Sequence, residues 1–194
     1  VIGEDLGTMP DGLAECLQAA GVLSYRVLLF EKEADGSFKA PAAYPDQALA
    51  AASTHDLPTL KSFWLGHDLD LRAQLNLYPS EELRTQQAVD RGQDHTRLLV
   101  ALEREKLLPA GMTIHSVSAP EMTPEFALAI HTYLARSRAQ LMLVQMEDVF
   151  SQLEQVNLPA TTDQYPNWQR KLPLNLEDWE ANAHVMALAE ALRR

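Results

Sequence analysis

Three apolar runs in this chain each end in a polar cluster: Glu4-Asp5 after Val1-Ile2, His55-Asp56 after Leu49 to Thr54, and Glu147-Asp148 after Ala139 to Gln145. If the runs are parallel strands of one barrel, their carboxyl ends face a common mouth, and acids far apart in sequence converge there. Convergent carboxylates are what glycosyl transfer needs. One acid protonates the leaving oxygen and a second attacks the anomeric carbon, at a separation of about 5 Å when configuration is retained. A third can stabilise the positive sugar ring of the transition state. Acids just past strands also cap the next helix or pair with a nearby Lys or Arg, and spacing alone leaves both readings open. His55-Asp56 with Glu4-Asp5 has neither HExxH, paired Cys nor regular His spacing, so no metal is expected.

The elements that would position these clusters alternate along the first part of the chain. Val1 to Leu6 reads as a strand, and Thr8 or Asp11 caps a helix over Gly12 to Ala20 that Gly21 stops. Val22 to Phe30 is β-branched and aromatic enough for a second strand, Glu31 to Ala48 is a loop, and Leu49 to Thr54 is a third strand. Such alternation predicts an α/β layer or barrel with parallel strands. After Pro58 the spacing turns helical over Thr59 to Leu65 and Ser80 to Leu108, with Leu83, Val89, Leu98, Leu99 and Leu102 on one stripe. Thr123-Pro124-Glu125 starts another helix, running to about Arg136, so 59–138 reads as a mainly helical insertion. Ala139 to Gln145 is a fourth strand, Asn157 to Pro173 an ordered loop, and Leu176 to Arg194 a closing helix. No linker divides the 194 residues, which read as one partial domain.

Composition narrows the partners. The net charge of −11 disfavours the clustered Lys and Arg that nucleic acid requires. No run approaches the roughly 18 apolar residues of a membrane span, and no signal peptide is visible, so a cytoplasmic setting is expected. Cys16 lies in the apolar stretch Leu13 to Gly21 and reads as a small buried side chain. Val1-Ile2 has no initiator Met and enters in mid-strand, as a cut or an excerpt of a longer protein would.

Four segments in order carry a family resemblance: Gly3-Glu4-Asp5-Leu6-Gly7-Thr8, Ser24-Tyr25-Arg26-Val27-Leu28, Thr54-His55-Asp56-Leu57-Pro58-Thr59-Leu60 with Phe63-Trp64, and the long run from Val156 to Leu172. Together they resemble the bacterial amylomaltases, 4-α-glucanotransferases of the α-amylase-like retaining kind. The resemblance implies a (β/α)₈ TIM barrel, of which this chain would supply strands five to eight, the C-terminal half. It implies transfer of α-1,4-glucan segments between malto-oligosaccharides, with glucose as a product, and no metal or organic cofactor. By the same resemblance Glu4 is the general acid/base and Asp56 the transition-state-stabilising aspartate. His55 binds sugar hydroxyls, and Asn157 and Arg170 shape the substrate rim. Asp5 should point to the opposite face of the strand from Glu4 and act as support. Trp64 would stack on a sugar ring, although an aromatic on an amphipathic helix is more often core.

Two departures stand out. The familiar closing loop has Gly where this chain has Ala160 and Arg where it has Gln169; if that glycine serves a positive φ, alanine there costs about 1 kcal/mol. The family's nucleophilic aspartate sits on an earlier strand and is not found here. The fragment alone is therefore expected to be inactive, to depend on the N-terminal half of the barrel, and to self-associate through open sheet edges. A non-catalytic glucan-binding or regulatory half-domain and a hydrolase of the same clan are the competing readings.

Overall fold

The structure is a computed structural model that describes residues 1–114 and 121–193. Residues 115–120 of the expected helical interval, and Arg194 of the expected closing helix, lie outside the described residues. Strands β1 (Ile2–Gly3), β2 (Leu23–Val27), β3 (Ala48–Ala51) and β4 (Leu141–Leu143) form a parallel sheet in the order β1-β2-β3-β4. Strands β2, β3 and β4 are each shorter than their apolar runs and end before the polar residues begin.

The register divides the sheet into two faces. Tyr25, Leu49 and Leu141 lie side by side, as do Val27, Ala51 and Leu143, while Arg26, Ala50 and Met142 alternate onto the other side. That second face packs on helices. Leu28, Ala48, Ala50 and Ala52 join Trp64, Phe126, Ile130, Tyr133 and Leu134 in one core. The alanines of β3 let helices approach closely, and the large aromatics fill the space that short side chains leave. On the first face, Leu141 and Leu143 of β4 remain 47% and 53% exposed.

Local signals explain most helix ends. Helix α1 (Leu13–Ala19) follows Gly12, and α2 (Leu60–Leu65) is capped by Thr59, whose side chain accepts from the Ser62 amide. Gly66, at φ 73°, ends α2 and opens α3 (His67–Gln74). In α3 the apolar residues Leu69, Leu71 and Ala73 stand two apart, so apolar spacing does not predict this helix. Ser80 caps the long α4 (Glu81–Arg104). Thr123 and Pro124 start α5 (Pro124–Ala135) as the sequence predicts, with the Thr123 hydroxyl accepting from the Phe126 amide at 3.2 Å. Short α6 (Met146–Val149) follows β4.

Three expectations are corrected. On α4 only the second half of the stripe is buried, at Leu98, Leu99 and Leu102, while Leu83 and Val89 are exposed. The first half meets α3 through a two-pronged ion pair instead, Arg91 Nη1 and Nη2 each 2.7 Å from Asp68. The closing segment is a 3₁₀ turn over Leu176–Ala181 followed by α7 (Ala183–Ala191) rather than one helix. Asn182 breaks it, its side chain accepting from the His184 and Val185 amides. Cys16 is exposed, because α1 buries none of its residues. Among the described residues no helix is long and apolar enough to cross a membrane.

Candidate active site

All four strands run parallel, so the segments leaving β1, β3 and β4 emerge at one edge of the sheet. Glu4 and Asp5 follow directly on β1, which ends at Gly3. Glu4 is exposed at the edge. It lies close enough to Tyr25 that its charge, after burial, helps push the Tyr25 phenol above its ordinary pKa.

Asp5 has a different task. It accepts from the Ser24 hydroxyl at 2.5 Å and the Tyr25 amide at 2.7 Å, tying β1 to β2. Burial opposes its charge, but Ser24, the Tyr25 amide and Arg26 outweigh burial and hold its carboxyl below the usual value. Arg26 in turn reaches Glu31 at 3.5 Å, and Lys39 meets the same carboxylate at 2.8 Å. This chain of charges braces the backbone that presents Glu4.

At β3 the chain passes through Ser53 and Thr54, both buried, and then opens at His55-Asp56. The Asp56 side chain is 43% exposed and is clamped rather than free. Its Oδ1 accepts from Asn157 Nδ2 at 2.7 Å and lies 3.3 Å from His55 Nε2, while its own amide donates to Thr54 Oγ1 at 3.2 Å. The Asn157 amide donates to the His55 carbonyl, so the closing loop is bound to the aspartate by side chain and backbone together.

That loop is held from within. Asn167 Oδ1 accepts from the Leu158 amide, and its Nδ2 donates to Thr161; Tyr165 Oη donates to the Gln155 carbonyl at 2.7 Å. Arg170 lies 5.2 Å over the Tyr165 ring and 3.4 Å from Glu154, which fixes the loop's outer side. Ala160 adopts φ 67°, the left-handed conformation in which glycine is unstrained.

Two residues that the sequence reading gave no role join the site. Trp168, at φ 62° and 63% exposed, sets its ring 5.0 Å from that of His55. Tyr25 feels the charge of Glu4. Both stand inside the quoted segments, but only the three-dimensional arrangement assigns them to the edge. Trp64 is corrected in the opposite sense. It is 1% exposed, with Phe126 at 4.6 Å and His95 at 4.3 Å between ring centroids, and it fills the core behind the sheet.

The third cluster divides. Asp148 is buried and accepts from the Leu60 amide at 2.7 Å, holding the start of α2 instead of facing the mouth. Burial, helped by Glu147 and opposed by the Leu60 bond, pushes its carboxyl up to about 7. Among the described residues no group of three or more His, Cys, Asp and Glu could hold a metal ion.

A parallel α/β sheet with acids and aromatics at its carboxyl edge has the layout of an α/β enzyme that binds its ligand where the strands end. The comparisons with known proteins narrow that class. Residues 1–176 match the 4-alpha-glucanotransferase family, and the chain belongs to it. It is 40% identical over 172 residues to the 4-alpha-glucanotransferase of Haemophilus influenzae, covering 89% of this chain and 24% of that one. It is 32% identical over 209 aligned positions to that of Mycobacterium bovis, covering 100% and 27%. Among solved structures it is similar to amylomaltase from Corynebacterium glutamicum, with a TM-score of 0.85 and 26% identity over 100% of this chain and 29% of that one. Amylomaltase from Streptococcus agalactiae in complex with acarbose shares the fold, with a TM-score of 0.61 and 17% identity over 98% and 30%. The chain thus spans about a quarter of the curated relatives it matches.

Proposed function

We propose that these residues are the C-terminal half of a (β/α)₈ barrel, strands five to eight, in a retaining 4-α-glucanotransferase that moves α-1,4-glucan segments between malto-oligosaccharides. The observation that carries the reading is the Asp56 carboxylate, half-exposed at the carboxyl edge and clamped by the closing loop, two strands from Glu4 on the same edge. The apolar face bearing Leu141 and Leu143 agrees with a barrel interior that the remaining strands would close. On this reading 59–138 is a helical insertion within the barrel domain.

Glu4 is the acid/base: it protonates the leaving glycosidic oxygen, then takes a proton from the acceptor hydroxyl. Asp56 holds negative charge near the oxocarbenium-like centre, and Asn157 fixes its orientation. His55 and Trp168 offer a polar edge and a flat apolar surface to a glucose ring. Arg170 shapes the rim by holding the loop, and the nucleophile comes from the part of the barrel outside these residues. No metal or organic cofactor is needed for double displacement by carboxylates.

The test is disproportionation of maltotriose by the full-length protein. Glucose and longer maltodextrins are expected, and Glu4→Gln should lower the rate roughly 10²–10⁴-fold while maltose still binds. Near-normal turnover by the variant removes Glu4 from the role. Hydrolysis without longer products favours a hydrolase of the same clan, and sugar binding without turnover favours a non-catalytic module.

A further inference from the structure

The turn that carries His55 and Asp56 is tied to itself. Ser53, fully buried, donates its hydroxyl to the Pro58 carbonyl at 2.7 Å, and the Leu57 amide closes back on the Thr54 carbonyl at 3.2 Å. Asp56 stands inside that closed turn, with its own amide bonded to Thr54 Oγ1. A piece closed in this way moves as a unit, so whatever fixes it from outside also fixes Asp56.

Besides the core packing of α2, one stretch of chain, 148–157, grips this piece at both ends. Asn157 holds the His55 carbonyl and the Asp56 carboxylate at one end. At the other, the Thr59 hydroxyl donates to the Gln152 carbonyl at 2.8 Å, and the Leu60 amide donates to Asp148 Oδ1 at 2.7 Å. The stretch is itself braced: the Gln152 amide donates to the Glu147 carbonyl at 2.8 Å and the Ser151 amide to the Asp148 carbonyl at 3.1 Å.

The Asp148 bond differs in kind from the others. Leu60 is the first residue of α2, and the amides of a first helical turn have no partner within the helix. Thr59 covers the Ser62 amide locally, whereas Asp148 covers the Leu60 amide from 88 positions away and ties the helix start to another element. Asp148 is 3% exposed and Leu60 1%. Without the acceptor a buried N–H is left unpaired, and the helix start then gains by shifting toward another partner.

We propose that Asp148 is a positioning residue: through Leu60 it sets where the His55-Asp56 turn stands against Asn157, and so the aim of the Asp56 carboxylate. The proposal rests on the reading of Asp56 as the charge that stabilises the transition state. A misplacement of about 1 Å at such a group costs about 10²-fold in rate. Because the charge acts more on the transition state than on the ground state, the loss falls on kcat rather than KM.

Maltotriose kinetics and crystal structures of three variants of the full-length protein test this. Asp148→Leu keeps the branching at Cγ but offers no acceptor, Asp148→Asn keeps an acceptor, and Asp56→Asn is the reference. In Asp148→Leu, kcat is expected to fall roughly 10–10²-fold with little change in KM, and the Asn157–Asp56 bond to break. Asp148→Asn is expected to restore both the bond and near-parental kcat. Parental kcat in Asp148→Leu overturns the proposal, as does an intact Asn157–Asp56 bond in that variant or an Asp148→Asn enzyme as impaired as Asp148→Leu. Parental kcat in Asp56→Asn as well brings down the reading of Asp56 itself, which tells the two failures apart. If Asp148→Leu does not fold, Asp148→Ala takes its place with the same expected and overturning results.

Discussion

Asp56 keeps a charge half in solvent while the closing loop grips one of its oxygens, so its orientation is set before substrate arrives. A preoriented charge acts mainly on the transition state. Asp56→Asn in the full-length protein should therefore lower kcat by roughly 10²-fold or more while KM changes little, read from maltotriose kinetics. A rise in KM alone would make Asp56 a binding residue. Asp148 supports a second prediction. Its carboxyl titrates near 7 in the fold against an ordinary value of 3.8, so between those values the folded state holds more protons than the unfolded one. Stability falls as pH climbs through that window and stays low above it. Asp148→Asn keeps the acceptor for the Leu60 amide and removes the charge. Thermal unfolding of the full-length variant should show a gain on the order of 2–4 kcal/mol at pH 8 and little change at pH 4. Equal differences at the two pH values would refute it.

At the scale of elements, the loop from Val156 to Trp168 stores strain at two positions with a left-handed backbone, Ala160 and Trp168. The conditional expectation for Ala160 is met, since its φ of 67° belongs to the region glycine occupies freely. Ala160→Gly should stabilise the protein by about 1 kcal/mol, measured as a rise in melting temperature, and a fall would show that packing around the methyl outweighs the strain. The supporting role expected of Asp5 agrees with its bonds to the Ser24 hydroxyl and the Tyr25 amide. The start of α5 was legible because a hydroxyl cap and a proline act within one turn. Helix α3 was not, since its apolar residues Leu69, Leu71 and Ala73 stand two apart and an ion pair from α4 holds it. The role of Trp168 was hidden, whereas the place of Trp64 on an amphipathic helix already favoured the core, where it packs against Phe126.

For the molecule as a whole, the sheet's two faces differ in kind. One is covered by helices, and the other leaves Leu141 and Leu143 open beside a short edge strand, β4. Residues 1–194 expressed alone should neither disproportionate maltotriose nor trap a covalent glycosyl intermediate, and light scattering should find them self-associated despite a charge of −11. Turnover by this chain alone would place a nucleophile within it, and a well-behaved monomer would contradict the open-face argument.

The bond between Asn157 and Asp56 joins residues 101 positions apart. Contacts of such separation form late, because a long stretch of chain must be ordered before they close. On a ribosome adding roughly 5–20 residues per second, the 101 residues from Leu57 through Asn157 take about 5–20 s to synthesise. Throughout that interval the aspartate is already made but its clamp does not yet exist. The site is thus completed near the end of this stretch of synthesis, and a nascent chain stalled short of Asn157 would carry the charge without the geometry that gives it a use.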